Sequence, residues 1–82
     1  MDKVLLGKVT HFFDKIGVAI VKLEKPLKIG DQVEFVKGDA SFKQTIESIQ
    51  VEHAALSEAK KGDEVGIKVE KAAKEGTLVY QA

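Results

Sequence analysis

Apolar residues recur at every second position through much of this chain. The run Glu64-Val65-Gly66-Ile67-Lys68-Val69-Glu70 shows the pattern most clearly. Side chains of an extended strand point alternately to opposite faces, so this spacing gives one apolar face and one polar face. The same period recurs in residues 7–13, 32–36 and 77–80, and glycines punctuate the segments between them. Residues 18–21, Val-Ala-Ile-Val, are apolar on both faces. Such a strand is covered on both sides, or it lies in a barrel whose outer face meets something. Residues 14–17 and 28–31 read as turns, and Pro26 ends the second strand because it lacks the N–H that a central ladder needs.

Residues 37–41 read as a loop, and residues 42–53 as one long strand region. Its apolar positions change parity, from Phe42 and Ile46 to Ile49 and Val51. A β-bulge produces such a change, so one is expected near Glu47-Ser48. Residues 54–61 read as a loop with room for a helical turn, and residues 71–76 as a connection. About six strands with glycine-marked turns and no long helix point to an all-β sandwich or small barrel. With 82 residues the chain is one domain spanning 1–82. A domain this size buries roughly 60–65% of the surface its unfolded chain exposes, which leaves no deep cleft between lobes.

Composition narrows the chemistry. Thirteen basic and thirteen acidic side chains balance, and all the basic ones are Lys. A duplex-DNA binder draws its affinity from phosphate neutralisation, so zero net charge argues against DNA. Without Arg there is no planar fork to grip phosphate or guanine bidentately. Without Cys there is no disulfide, thiolate nucleophile or zinc–thiolate site. No glycine-rich P-loop and no Gly-x-Ser-x-Gly elbow occurs, so neither nucleotide binding nor a serine hydrolase is expected. The apolar run at residues 4–6 is too short for a signal peptide, and no segment approaches the ~20 apolar residues of a membrane span. The expectation is a cytoplasmic protein that is not an enzyme, needs no cofactor and acts by binding.

His11 and His53, with Asp14 or Glu52, would make a two-histidine, one-carboxylate cluster, but lack the close spacing of a metal motif. They read as two half-exposed strand histidines. Phe12 and Phe13 point to opposite faces; packing is expected to cover both, while an exposed Phe could stack a base. Lys22, Lys25 and Lys28, interspersed with Glu24, read as a solvated turn.

The segment from Ser48 to Ile67, with its core Leu56-Ser57-Glu58-Ala59-Lys60-Lys61-Gly62-Asp63-Glu64-Val65-Gly66, resembles the second domain of translation elongation factors Tu and 1-alpha. Gly17-Val18-Ala19, then Leu27-Lys28-Ile29-Gly30-Asp31-Gln32-Val33, and Gly76 before Leu78-Val79 extend the resemblance over nearly the whole chain. The resemblance implies a small closed six-stranded antiparallel β-barrel. It also implies a translation-factor-like module of protein biosynthesis without a GTPase, contacting RNA (tRNA or rRNA) or a translation protein. The positions matching that family's binding surface are Lys8, Thr10, Val21, Gln50, Glu52 and His53. Several differ from the family pattern. The acidic pair and Phe that open the barrel there align with Gly7, Lys8 and Thr10, and a Glu becomes Gln50. Charged contacts to an α-amino group would lose their partner. A second reading is an accessory protein-interaction barrel with no RNA role, such as that appended to U32-type peptidases.

Overall fold

The computed structural model describes residues 4–51 and 54–82. Its first two strands, β1 (Leu5–Phe13) and β2 (Val18–Leu23), form an antiparallel hairpin across the 14–17 turn. The other strands are β3 (Leu27–Lys28), β4 (Gln32–Lys37), β5 (Ala40–Thr45), β6 (Ile49–Val51), β7 (Ala54–Leu56), β8 (Glu58–Ala59), β9 (Glu64–Lys68) and β10 (Leu78–Gln81). Among the described residues, eight of them form one sheet in the order β5-β4-β10-β1-β2-β9-β6-β7. The remaining pair, β3 and β8, forms a separate two-stranded ribbon.

The expected all-β, antiparallel architecture is present, but the closed six-stranded barrel is not. The sheet has more strands, and among the described residues no ladder joins its outer strands β5 and β7. It nevertheless wraps a single core. Val9, Val21, Leu23, Val33, Phe35, Ile49, Val65, Ile67 and Val79, drawn from both halves of the sheet, are buried in one cluster with Ile46 from the connection between β5 and β6. The radius of gyration of 11.2 Å is close to the ~12 Å expected of a compact chain this long.

A side chain ties part of the seam that the ladders leave open. Gln44 on β5 donates from Nε2 to the Lys68 carbonyl at 2.9 Å, and its Oε1 accepts from the Glu70 N–H at 2.9 Å. Gln44 is buried, so this paired amide stands in for two ladder bonds. Nearby, the Ile46 N–H donates to the Asp31 carbonyl and the Gly30 N–H to the Ile46 carbonyl. Among the described residues no buried side-chain nitrogen or oxygen lacks a partner.

The parity change after Phe42 has a different cause from the expected bulge. The chain leaves strand conformation at residues 46–48 and changes partners. β5 pairs with β4, whereas β6 pairs with β9 and β7. The register irregularities lie instead in β1, between Leu5 and Gly7 and between Val9 and His11. The expected loop at 37–41 is a tight turn at Gly38-Asp39, with Lys37 paired to Ala40. The expected loop at 54–61 holds two short strands, β7 and β8. No helix among the described residues is long and apolar enough to cross a membrane.

Candidate functional site

The inner face of the sheet is filled by the core, so the positions expected from the sequence to bind are sought on the outer face. There the strands β1, β2, β9 and β6 lie side by side. Alternation places Ala19, Val21 and Leu23 inward and Val18, Ile20 and Lys22 outward on β2. Cross-strand pairing then sets the outer rows. Lys8 faces Lys22, which faces Glu64; His11 faces Ile20, which faces Gly66, which faces Gln50; Phe13 faces Val18, which faces Lys68.

These rows separate the positions expected from the sequence. Lys8 and Gln50 are exposed on the outer face, on strands that do not neighbour each other. Thr10 is the extra residue of the irregularity in β1. Its hydroxyl donates to Glu64 Oε2 at 3.0 Å, and the Ile20 carbonyl, at 3.3 Å, is the alternative acceptor for its one proton. Thr10 is thus committed to a cross-strand contact. Val21 is fully buried in the core and cannot touch a ligand. Glu52 and His53 lie outside the described residues. His11 is exposed, and the described residues contain no group of three or more His, Cys, Asp or Glu that could hold a metal ion.

What the outer face does gather is apolar. Phe12 turns toward the core, as expected for one of the pair, but Phe13 is half exposed. The His11 and Phe13 rings stack with centroids 6.5 Å apart at 24°. Ile16, at the tip of the β1–β2 turn, is 63% exposed. Gly66 keeps the middle of the face low: an added Cβ would lie 3.2 Å from Val18 Cγ1 and 3.5 Å from Ile20 Cδ1. Those two side chains therefore lie over the glycine. Phe13, Val18 and Ile20 form an apolar strip on the outer face beside the His11 ring, with exposed Ile16 at the adjoining turn and Lys68 and Gln50 at the margin. Contiguous apolar surface of this kind marks interaction sites more often than scattered exposed residues do. The sequence carried its signal in the doubly apolar Val18-Ala19-Ile20-Val21 and in the adjacent phenylalanines.

The motifs shared with the translation factors have a conformational explanation. Lys28-Ile29-Gly30-Asp31 and Lys60-Lys61-Gly62-Asp63 are the same turn used twice. In each, the Asp N–H donates to the first Lys carbonyl at 3.1 Å, and the Asp carboxylate accepts from that Lys N–H at 3.0 and 2.9 Å. Gly30 and Gly62 have φ of 97° and 91°, the left-handed backbone that a type II turn requires at its third position. Lys74-Glu75-Gly76-Thr77 repeats the scheme, with the Thr77 N–H and hydroxyl both donating to the Lys74 carbonyl. Gly-Asp followed by an apolar strand therefore reports turn geometry and carries no information about a ligand.

No family model matches the chain. It is 35% identical over 79 residues to an uncharacterised protease of Methanocaldococcus jannaschii, a match that covers 95% of the chain. The chain spans only 19% of that relative's length. Two crystal structures of the C-terminal domain of a protein assigned to the U32 peptidases, from Geobacillus thermoleovorans, share the fold at 26% identity. One superposes with a TM-score of 0.90 over 96% of this chain and 92% of that domain. Its selenomethionine variant gives 0.88 over 94% and 98%. These matches overturn the assignment to domain 2 of the elongation factors and, with it, the translation-factor function inferred from the motifs. In both fold and sequence, what this chain is similar to is the C-terminal domain of U32 peptidase-like proteins.

Proposed function

We propose that the chain is an accessory protein-interaction domain of the kind found at the C-terminus of U32 peptidase-like proteins, and that it carries no peptidase chemistry of its own. The observation that carries this reading is the near-complete two-way coverage between this chain and a crystallised C-terminal domain. The described residues supply a second support. They offer an apolar outer face around Phe13, Ile16, Val18 and Ile20, and zero net charge gives the chain no general attraction for phosphate. Gln50 and Lys68 at the margin of that face supply polar contacts to a protein partner.

Size-exclusion chromatography tests the reading. The chain is mixed with a U32-type peptidase body from which its own C-terminal domain has been removed. Co-elution is expected, and the double variant Phe13→Ser, Ile16→Lys should abolish it while leaving the chain folded, since both side chains are exposed. Failure of the native chain to co-elute, or co-elution unaffected by the double variant, would count against this surface. Peptide hydrolysis by the isolated chain would overturn the non-catalytic assignment.

A further inference from the structure

At the open end of the curled sheet, beside the β4–β5 turn, lies a cavity of about 320 Å³. It shares no residue with the outer face described above. Its base is the stacked pair Phe35 and Phe42, with ring centroids 4.9 Å apart at 18°. Phe35 is buried, whereas Phe42 is only partly covered and offers ring surface to an occupant. Ala40 and Ala72 keep the walls small and apolar.

The rim is cationic. Lys37 from the end of β4 and Lys71 from the connection after β9 both line the cavity, and no carboxylate among the described residues does. The Lys37 ammonium is held in place by donating to the Glu75 carbonyl at 2.8 Å. An ammonium has three donors, so two remain for an incoming acceptor. β5 is also the outer strand of the sheet, with no ladder partner beyond β4. Gln44 occupies the seam further along, and among the described residues the backbone of Ala40 to Lys43 pairs only with β4, with Lys71 and Ala72 lying across the cavity from it. An open edge accepts an extended peptide as an added strand, and an adjoining pocket then selects a side chain.

We propose that this cavity binds the C-terminal end of a polypeptide whose last side chain is aromatic or large and apolar. The last side chain lies on Phe42, the α-carboxylate lies near Lys37 and Lys71, and the preceding residues run along the edge of β5. A cationic rim over an aromatic base fits a group that is apolar and anionic at adjacent atoms, which a peptide terminus supplies. The occupant does not depend on the U32-type reading, and loss of either proposal leaves the other standing.

The test is an NMR titration of the ¹⁵N-labelled chain with a short peptide ending in Phe, with the same peptide as its C-terminal amide, and with 3-phenylpropionate. Saturable shifts are expected at the amides of Ala40, Ser41, Phe42, Lys71 and Ala72 with the free-acid peptide. Amidation should weaken binding about two- to fivefold, the scale of exposed charge pairs, and Lys71→Ala should do the same. Lys71 is exposed, so its removal leaves the fold intact, and an unchanged spectrum elsewhere verifies this. Absence of localised shifts, or equal binding of the amide, overturns the proposal. Binding of 3-phenylpropionate as tight as that of the peptide also overturns it, by reassigning the cavity to small aromatic acids.

Discussion

Gly7 and Gly62 are glycines for opposite reasons. At Gly7 an added Cβ would lie 2.5 Å from the Lys22 carbonyl oxygen and 2.8 Å from Val21 Cγ1. Backbone cannot step aside cheaply in the middle of a sheet, so Gly7→Ala should cost about 1–3 kcal/mol in urea denaturation, as overpacking does. At Gly62 nothing lies within 4 Å of the added Cβ, but φ is 91°. Gly62→Ala should cost about 1 kcal/mol from backbone conformation alone. Gln44 works through hydrogen bonds: Gln44→Leu strands the Lys68 carbonyl and the Glu70 N–H, and should cost about 2 kcal/mol in the same assay. The turn glycines were legible in the sequence, because Gly followed by Asp or Thr just ahead of an apolar strand is a turn signal. Gly7 and Gln44 were not, since their roles depend on strands that meet only in the fold.

At the scale of elements, alternation located the long strands well. Residues 7–13, 18–21, 32–36 and 64–70 all lie largely in strands. Residues 42–45 and 49–51 belong to two strands rather than one bulged strand. A parity change along one sequence looks the same whether a strand bulges or stops and restarts against a new partner, and only the pairing of β5 with β4 and of β6 with β9 separates the two. The short strands β3, β7 and β8 were invisible for a related reason. Two or three residues are too few to show a period, and tertiary pairing alone makes them strands. Pairing also predicts which elements open first. β2 is flanked by β1 and β9 along its length, whereas β5 and β7 lie at the ends of the order. Hydrogen exchange should therefore be slowest at Ala19, Val21 and Leu23 and faster through β7 and the Ala40–Ser41 end of β5. Uniform protection across β2 and β7 would contradict the open arrangement.

At the scale of the molecule, the sequence led to the right class of fold, but its leading resemblance named the wrong relatives and only its second reading named the U32-type domain that the matches support. The ordered match to elongation factors was carried by turns, at Gly30-Asp31, Gly62-Asp63 and Gly76, and turns recur wherever strands must be connected at the same angle. The residues that would have carried function disagreed from the outset. Of these, Val21 is core, Thr10 is engaged by Glu64, and Lys8 and Gln50 stand on separate strands. The apolar outer face was half visible, as a strand with no polar side, but its extent depends on Gly66 lying beneath Val18 and Ile20. The proposed function requires this face to meet a protein. The most direct measurement is an NMR titration of the labelled chain with a U32-type peptidase body lacking its own C-terminal domain, alongside a parallel titration with tRNA. Broadening or shifts are expected at Phe13, Ile16, Val18, Ile20 and Gly66 with the peptidase body and none there with tRNA. An unresponsive face with the peptidase body, or shifts at those amides produced by tRNA, would contradict the proposed function.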